Sequence, residues 1–85
     1  RISMRKILYF SAAWCGPCQT LGPIMEGLTN EVVHSKIDVD KDSTLSAKYN
    51  VRNIPTLILL DEFGNEIGRK VGLQTKEQIK SFYNG

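Results

Sequence analysis

Residues 12–23 read AAWCGPCQTLGP and place two cysteines, Cys15 and Cys18, three positions apart behind Trp14. Two prolines and two glycines punctuate the same dozen residues. Such a pair is a staple, half of a metal site, or a reactive dithiol. As a staple it closes a very short loop, so its entropic hold on the fold is small. A structural zinc site takes four ligands, and the chain has only these two cysteines and one histidine, His34. The reactive dithiol fits the surroundings better. Pro17 suits a first helical turn, where its missing N–H is no loss. Residues i and i+3 on a helix stand ~5–6 Å apart at Cβ, which a modest adjustment brings into disulfide range. Cys15 then lies just before the helix, beside unpaired N–H groups and the positive end of the dipole, where a thiolate is favoured. Cys18 lies one turn inside and faces the core. Cys15 is therefore expected to be exposed and acidic, and Cys18 shielded. That suits attack by Cys15 on a substrate disulfide and resolution of the mixed disulfide by Cys18.

Outward from this stretch the chain reads as α/β. RKILYFS, before it, is a short buried strand. After it, Cys18, Leu21, Met25, Leu28 and Val32 recur at helical spacing, which predicts a helix from Pro17 to about Glu31, kinked at Pro23. SKIDVD alternates as a second strand. Asp42 or Ser43 caps a short helix carrying Leu45 and Tyr49 on one face, and Asn50 ends it in a left-handed conformation. TLILL is a buried strand, DEFGN a turn using Gly64, and EIGRKV the returning antiparallel strand. Thr75 and Gln78 form a capping box ahead of a last helix with Ile79, Phe82 and Tyr83 inward. The predicted order is β-α-β-α-β-β-α.

Eighty-five residues, 1–85, make one small domain with a thin core. The net charge of +2 comes from interspersed charges, with no basic run of the kind that binds nucleic acid or membranes. There is no apolar stretch of transmembrane length and no signal peptide. Met4 is a candidate start, with Arg1-Ile2-Ser3 read as an expression remnant. Asp38, Asp40 and Asp42 read as solvated acids and a helix cap rather than a calcium loop.

WCGPC at Trp14–Cys18, with Pro23, Pro55 in NIPTL, and Gly64 and Gly72 in FGNEIGRKVG, resembles the thioredoxin family over nearly the full chain. The resemblance implies a minimal thioredoxin fold with a four-stranded mixed sheet flanked by helices. It implies a cytoplasmic protein-disulfide reductase, monomeric, with no bound cofactor or metal, drawing electrons from a separate thioredoxin reductase that uses flavin and NADPH. It also implies a cis bond before Pro55, and a shallow substrate groove lined by Trp14, Gly16, Ile54, Pro55, Val71 and Gly72. Two rivals stay in view: a glutathione-dependent glutaredoxin-like reductase, and a thioredoxin-fold binding subunit whose thiols are dispensable.

The chain departs from the family pattern in three places. Few residues precede ILYF, the link from the first helix to SKIDVD is short, and Tyr9 stands six residues before Cys15, where relatives carry a buried aspartate. Lys36 matches the lysine that neighbours that acid. The expectation is that Tyr9 mainly packs, that water takes the Cys18 proton, and that Lys36 points to solvent.

Overall fold

The computed structural model describes residues 4–85; Arg1, Ile2 and Ser3, read above as an expression remnant, lie outside the described residues. The elements follow the predicted order: β1 (Lys6–Ser11), α1 (Gly16–Gly27), β2 (His34–Asp38), α2 (Ser43–Lys48), β3 (Thr56–Leu60), β4 (Glu66–Val71) and α3 (Lys76–Asn84). They build a single four-stranded sheet in the order β2-β1-β3-β4. β1 runs parallel to β2 and antiparallel to β3, and β3 runs antiparallel to β4. The sheet is therefore mixed, with β1 and β3 at its centre.

The central strands are apolar on both sides because helices cover both faces. Successive side chains of a strand alternate between faces. Ile7 and Tyr9 of β1, with Leu57 and Leu59 of β3, face α1 and α3, where they meet Leu21, Met25, Leu28, Val32 and Ile79. Leu8 and Phe10, with Ile58 and Leu60, face α2, where Ile37, Leu45, Tyr49 and Val51 pack against them. The Phe10 and Tyr49 rings meet edge to face with centroids 6.2 Å apart. The edge strand β4 is largely exposed.

Local chemistry sets the element ends. Asp42 caps α2 by accepting the Leu45 N–H at 3.1 Å, and Asn50 follows that helix at φ 53°. The capping box of α3 is complete: Thr75 Oγ1 accepts the Gln78 N–H, and Gln78 Oε1 accepts the Thr75 N–H. The turn from β3 to β4 uses Gly64 at φ 84°, and Asp61 Oδ1 accepts the backbone N–H groups of Phe63 and Asn65, both at 2.9 Å. Those bonds favour the carboxylate and hold its pKa below the usual aspartate value.

Two boundaries differ from the sequence reading. α1 ends at Gly27, not near Glu31. Gly27 is a poor helix former, and Thr29 turns back to donate its hydroxyl to Glu26 O at 2.7 Å. Leu28 and Val32 are nonetheless buried, so the apolar spacing persists through a turn in which Val32 N–H bonds to Leu28 O. β2 begins at His34 and closes at Asp38, although Val39 N–H still bonds to Ser11 O just beyond it.

Candidate active site

The cysteine pair sits where β1 ends and α1 begins. A tight loop joins the two: Cys15 N–H donates to Ala12 O, and Gln19 Nε2 reaches back to Ala13 O at 3.0 Å. Cys15 is the N-cap of α1, in extended conformation, and its Sγ accepts the Cys18 backbone N–H at 3.2 Å. Pro17 occupies the first turn as expected, and Pro23 lies inside the helix. Cys15 and Cys18 are joined as a disulfide, with Cα atoms 5.2 Å apart.

One expectation is corrected here. The sequence reading made Cys15 exposed and Cys18 shielded, yet in the bonded form they are almost equally covered, 5% and 4% exposed. Ala12 shares their cluster, and Val39 and Ile54 pack over it. The difference between the two sulfurs is therefore one of backbone position, not exposure. Cys15 stands ahead of the helix and receives an N–H, whereas Cys18 lies inside the first turn.

The remaining predicted site residues gather around the pair to different degrees. Trp14 is 69% exposed, and its indole N–H donates to Asp40 Oδ2 at 2.8 Å. Gly16 leaves open space where a Cβ would stand. Ile54 is half-buried against the cysteines, and Pro55 follows it through a cis bond and is fully buried. Gly72, at φ 96°, donates its N–H to Pro55 O at 2.8 Å, which fastens the turn after β4 to the Pro55 loop. A side chain at that φ would be strained, so glycine is required there. Val71 beside it is exposed.

Tyr9 and Lys36 lie beneath α1. Tyr9 is buried in the main core, as expected of a packing residue, but its hydroxyl also donates to Cys18 O at 2.9 Å. Burial raises its pKa above the ordinary phenol value, and a hydrogen bond with Ser11 opposes that shift. Lys36 is exposed on β2.

Two of the three acids do more than face solvent. Asp42 is the helix cap, but Asp40 holds Trp14, and Asp38 Oδ1 accepts the Asp40 N–H at 2.9 Å. Neither the Trp14–Asp40 bond nor the Tyr9–Cys18 bond has a local signature, because each depends on how separate segments pack in space. Among the described residues, no group of three or more His, Cys, Asp or Glu is placed to hold a metal ion.

A disulfide spanning one turn at a helix start, with an N–H aimed at the outer sulfur, defines a thiol-disulfide oxidoreductase site. The thioredoxin family model matches residues 3–85. A thioredoxin from Chlamydia pneumoniae is 46% identical over 78 residues, spanning 88% of this chain and 76% of that one. One from Bacillus subtilis (strain 168) is 38% identical over 79 residues, spanning 88% and 75%. Among solved structures, a mutant thioredoxin from Halobacterium salinarum NRC-1 matches with a TM-score of 0.87 at 37% identity, covering 95% of this chain and 75% of that one. The chain belongs to the thioredoxin family. Its Cys15–Cys18 pair is the redox-active disulfide, and the activity is protein-disulfide reduction.

Proposed function

We propose that Cys15 is the nucleophile and Cys18 the resolving thiol. The observation that carries this assignment is the Cys18 N–H directed at Cys15 Sγ from the first turn of α1. In the reduced protein the same N–H and the helix dipole favour a thiolate on Cys15. That thiolate attacks a substrate disulfide, forming a Cys15–substrate bond and releasing the first substrate thiol. Cys18 then attacks Cys15 Sγ, closes the internal disulfide and releases the second thiol.

Substrate enters along Trp14, Gly16, Ile54, Pro55, Val71 and Gly72. Gly16 presents no side chain to an approaching polypeptide, and Ile54 offers its backbone to an extended segment in the manner of an added strand. The substrates are protein disulfides. Reduction of the internal disulfide falls to a separate flavin- and NADPH-dependent thioredoxin reductase, so the chain needs no bound cofactor. The chain works as one monomeric domain in the cytoplasm. No helix among the described residues is long and apolar enough to cross a membrane.

Trapping tests the assignment. Cys18→Ser should accumulate a mixed disulfide on Cys15 with a model protein disulfide, and Cys15→Ser should abolish turnover. Equal trapping by both variants would reverse or dissolve the division of roles. Turnover supported by glutathione, and not by a thioredoxin reductase, would favour the glutathione-dependent alternative.

A further inference from the structure

Two cavities lie beneath α1 beside β2, and both are lined by Tyr9 and Lys36. The smaller, about 140 Å³, touches Cys18 and is also bordered by Ser11, Gln19 and Asp38. The larger, about 200 Å³, runs on past Gly22 to Glu26 and His34. Strand register explains which side chains meet there. Tyr9 is paired with Lys36 and Ser11 with Asp38, and paired residues of neighbouring strands share a face. Ile37, between Lys36 and Asp38, packs on the opposite, α2 face, which places both charged side chains under α1.

Resting on the assignment of Cys18 as resolving thiol, we propose that Asp38 accepts the Cys18 proton through water in the smaller cavity, with Tyr9 as a positioning residue. Cys18 is nearly buried and borders this cavity, which gives its proton a route out. A water takes roughly 30 Å³ in the liquid, so the cavity admits more than one. Of the groups that line it, a lysine ammonium only donates, whereas an ionised carboxylate only accepts. The phenol of Tyr9 spends its hydrogen on Cys18 O, and burial disfavours its ionised form. Ser11 and Gln19 are not bases at neutral pH. Asp38 is left as the acceptor.

The groups around Asp38 are Tyr9 and Ser11 from β1, Lys36 from β2, Gln19 from α1, and Asp40 and Asp42 from the following loop. The Asp40 N–H holds one Asp38 oxygen in place. In the step itself, the Cys18 S–H proton passes by water to the Asp38 carboxylate as Cys18 Sγ attacks Cys15 Sγ. The Cys15–Cys18 bond forms, the Cys15–substrate bond breaks, and the electron pair leaves on the substrate sulfur, which takes up a proton from solvent. The cysteine pair is oxidised and the substrate reduced. Lys36, lining the same cavity, offsets the transient charge on Cys18. Tyr9 holds the carbonyl of Cys18 and so fixes where its sulfur stands.

Stopped-flow reaction of the reduced protein with a symmetrical aromatic disulfide, 5,5′-dithiobis(2-nitrobenzoate), separates the steps. The first aromatic thiolate released reports attack by Cys15, and the second reports resolution by Cys18. Asp38→Asn keeps an oxygen for the Asp40 N–H. It should leave the first release unchanged and slow the second about tenfold or more near neutral pH. Tyr9→Phe should slow the second release by less than tenfold and evenly at every pH. Wild-type resolution by Asp38→Asn across the pH range, or a changed profile shape in Tyr9→Phe, would overturn the proposal. A first release that survives Cys15→Ser at the wild-type rate would overturn the cysteine assignment itself, and this inference with it.

Discussion

The two faces of the sheet are covered in unequal ways. On the α1 and α3 face, nine core residues are almost completely removed from solvent, Leu21 and Ile79 among them at 0% exposure. On the other face, Leu8, Phe10, Ile58 and Leu60 are buried by partners that stay half-buried themselves. α2 has six residues and buries none of them fully. Apolar burial contributes in proportion to area removed from water, so the thick face carries most of the fold. The thin face supplies Val39 and Ile54, which cover the cysteines. Stability and access are thus assigned to opposite sides of one sheet, and the redox pair sits at the end of the strand they share.

The sharpest way to break this contrast is to place a charge within the thick face. Tyr9 is tolerated there because its ring fills the core and its hydroxyl is bonded to Cys18 O. Tyr9→Asp removes the ring and leaves a carboxyl among Leu21, Met25 and Leu57. A loss of about 3–5 kcal/mol is expected, from the space the ring leaves and the cost of setting a carboxyl against the apolar core. That is a large share of the ~5–15 kcal/mol that holds a small domain folded. Urea denaturation of the oxidised protein reads it. A midpoint equal to or above wild type would mean that the thick face accommodates an acid, and the neutral packing role of Tyr9 would be wrong.

A paired truncation tests the contrast directly. Leu21→Ala on the thick face should cost about 3 kcal/mol, because a fully buried leucine leaves a cavity. Leu45→Ala on α2 should cost about 1 kcal/mol, because that side chain keeps part of its surface in water and its surroundings can close over the gap. Equal losses in the two variants would show that half-burial on the α2 side understates how firmly it is packed.

Much of this architecture is local in origin and was therefore legible in the chain. TLILL is apolar at every position because β3 is central and covered on both sides. Asn50, Gly64 and the Thr75–Gln78 box announce themselves through turn and cap chemistry that acts within four residues. The redox pentapeptide is equally compact. What stayed hidden depends on distance in space. The end of α1 is hidden because Leu28 and Val32 keep helical spacing while serving a turn. The cover over Cys15 comes from Val39 and Ile54, far along the chain, so no inspection of residues 12–23 foretells it. Asp38 and Asp40 read as surface acids because Ser11, which pairs with Asp38 in strand register, and Trp14, whose indole N–H Asp40 accepts, lie far from them in sequence.

The smallest expected effect concerns how the thick face is closed. α3 is nine residues long, short for an independent helix, and depends on its cap and on Ile79 for its place. Thr75 Oγ1 accepts the Gln78 N–H at 3.1 Å, and Gln78 Oε1 accepts the Thr75 N–H at 2.8 Å. Thr75→Ala removes the hydroxyl half of that exchange and should lower stability by about 1 kcal/mol. Thr75→Ser keeps an acceptor oxygen and should restore most of the loss. Because α3 covers the face opposite the cysteine cover, disulfide exchange at Cys15 should be unchanged in both variants. A Thr75→Ala protein that kept its stability but lost exchange rate would mean that the two faces are coupled through the sheet, and that the thick side governs chemistry as well as folding.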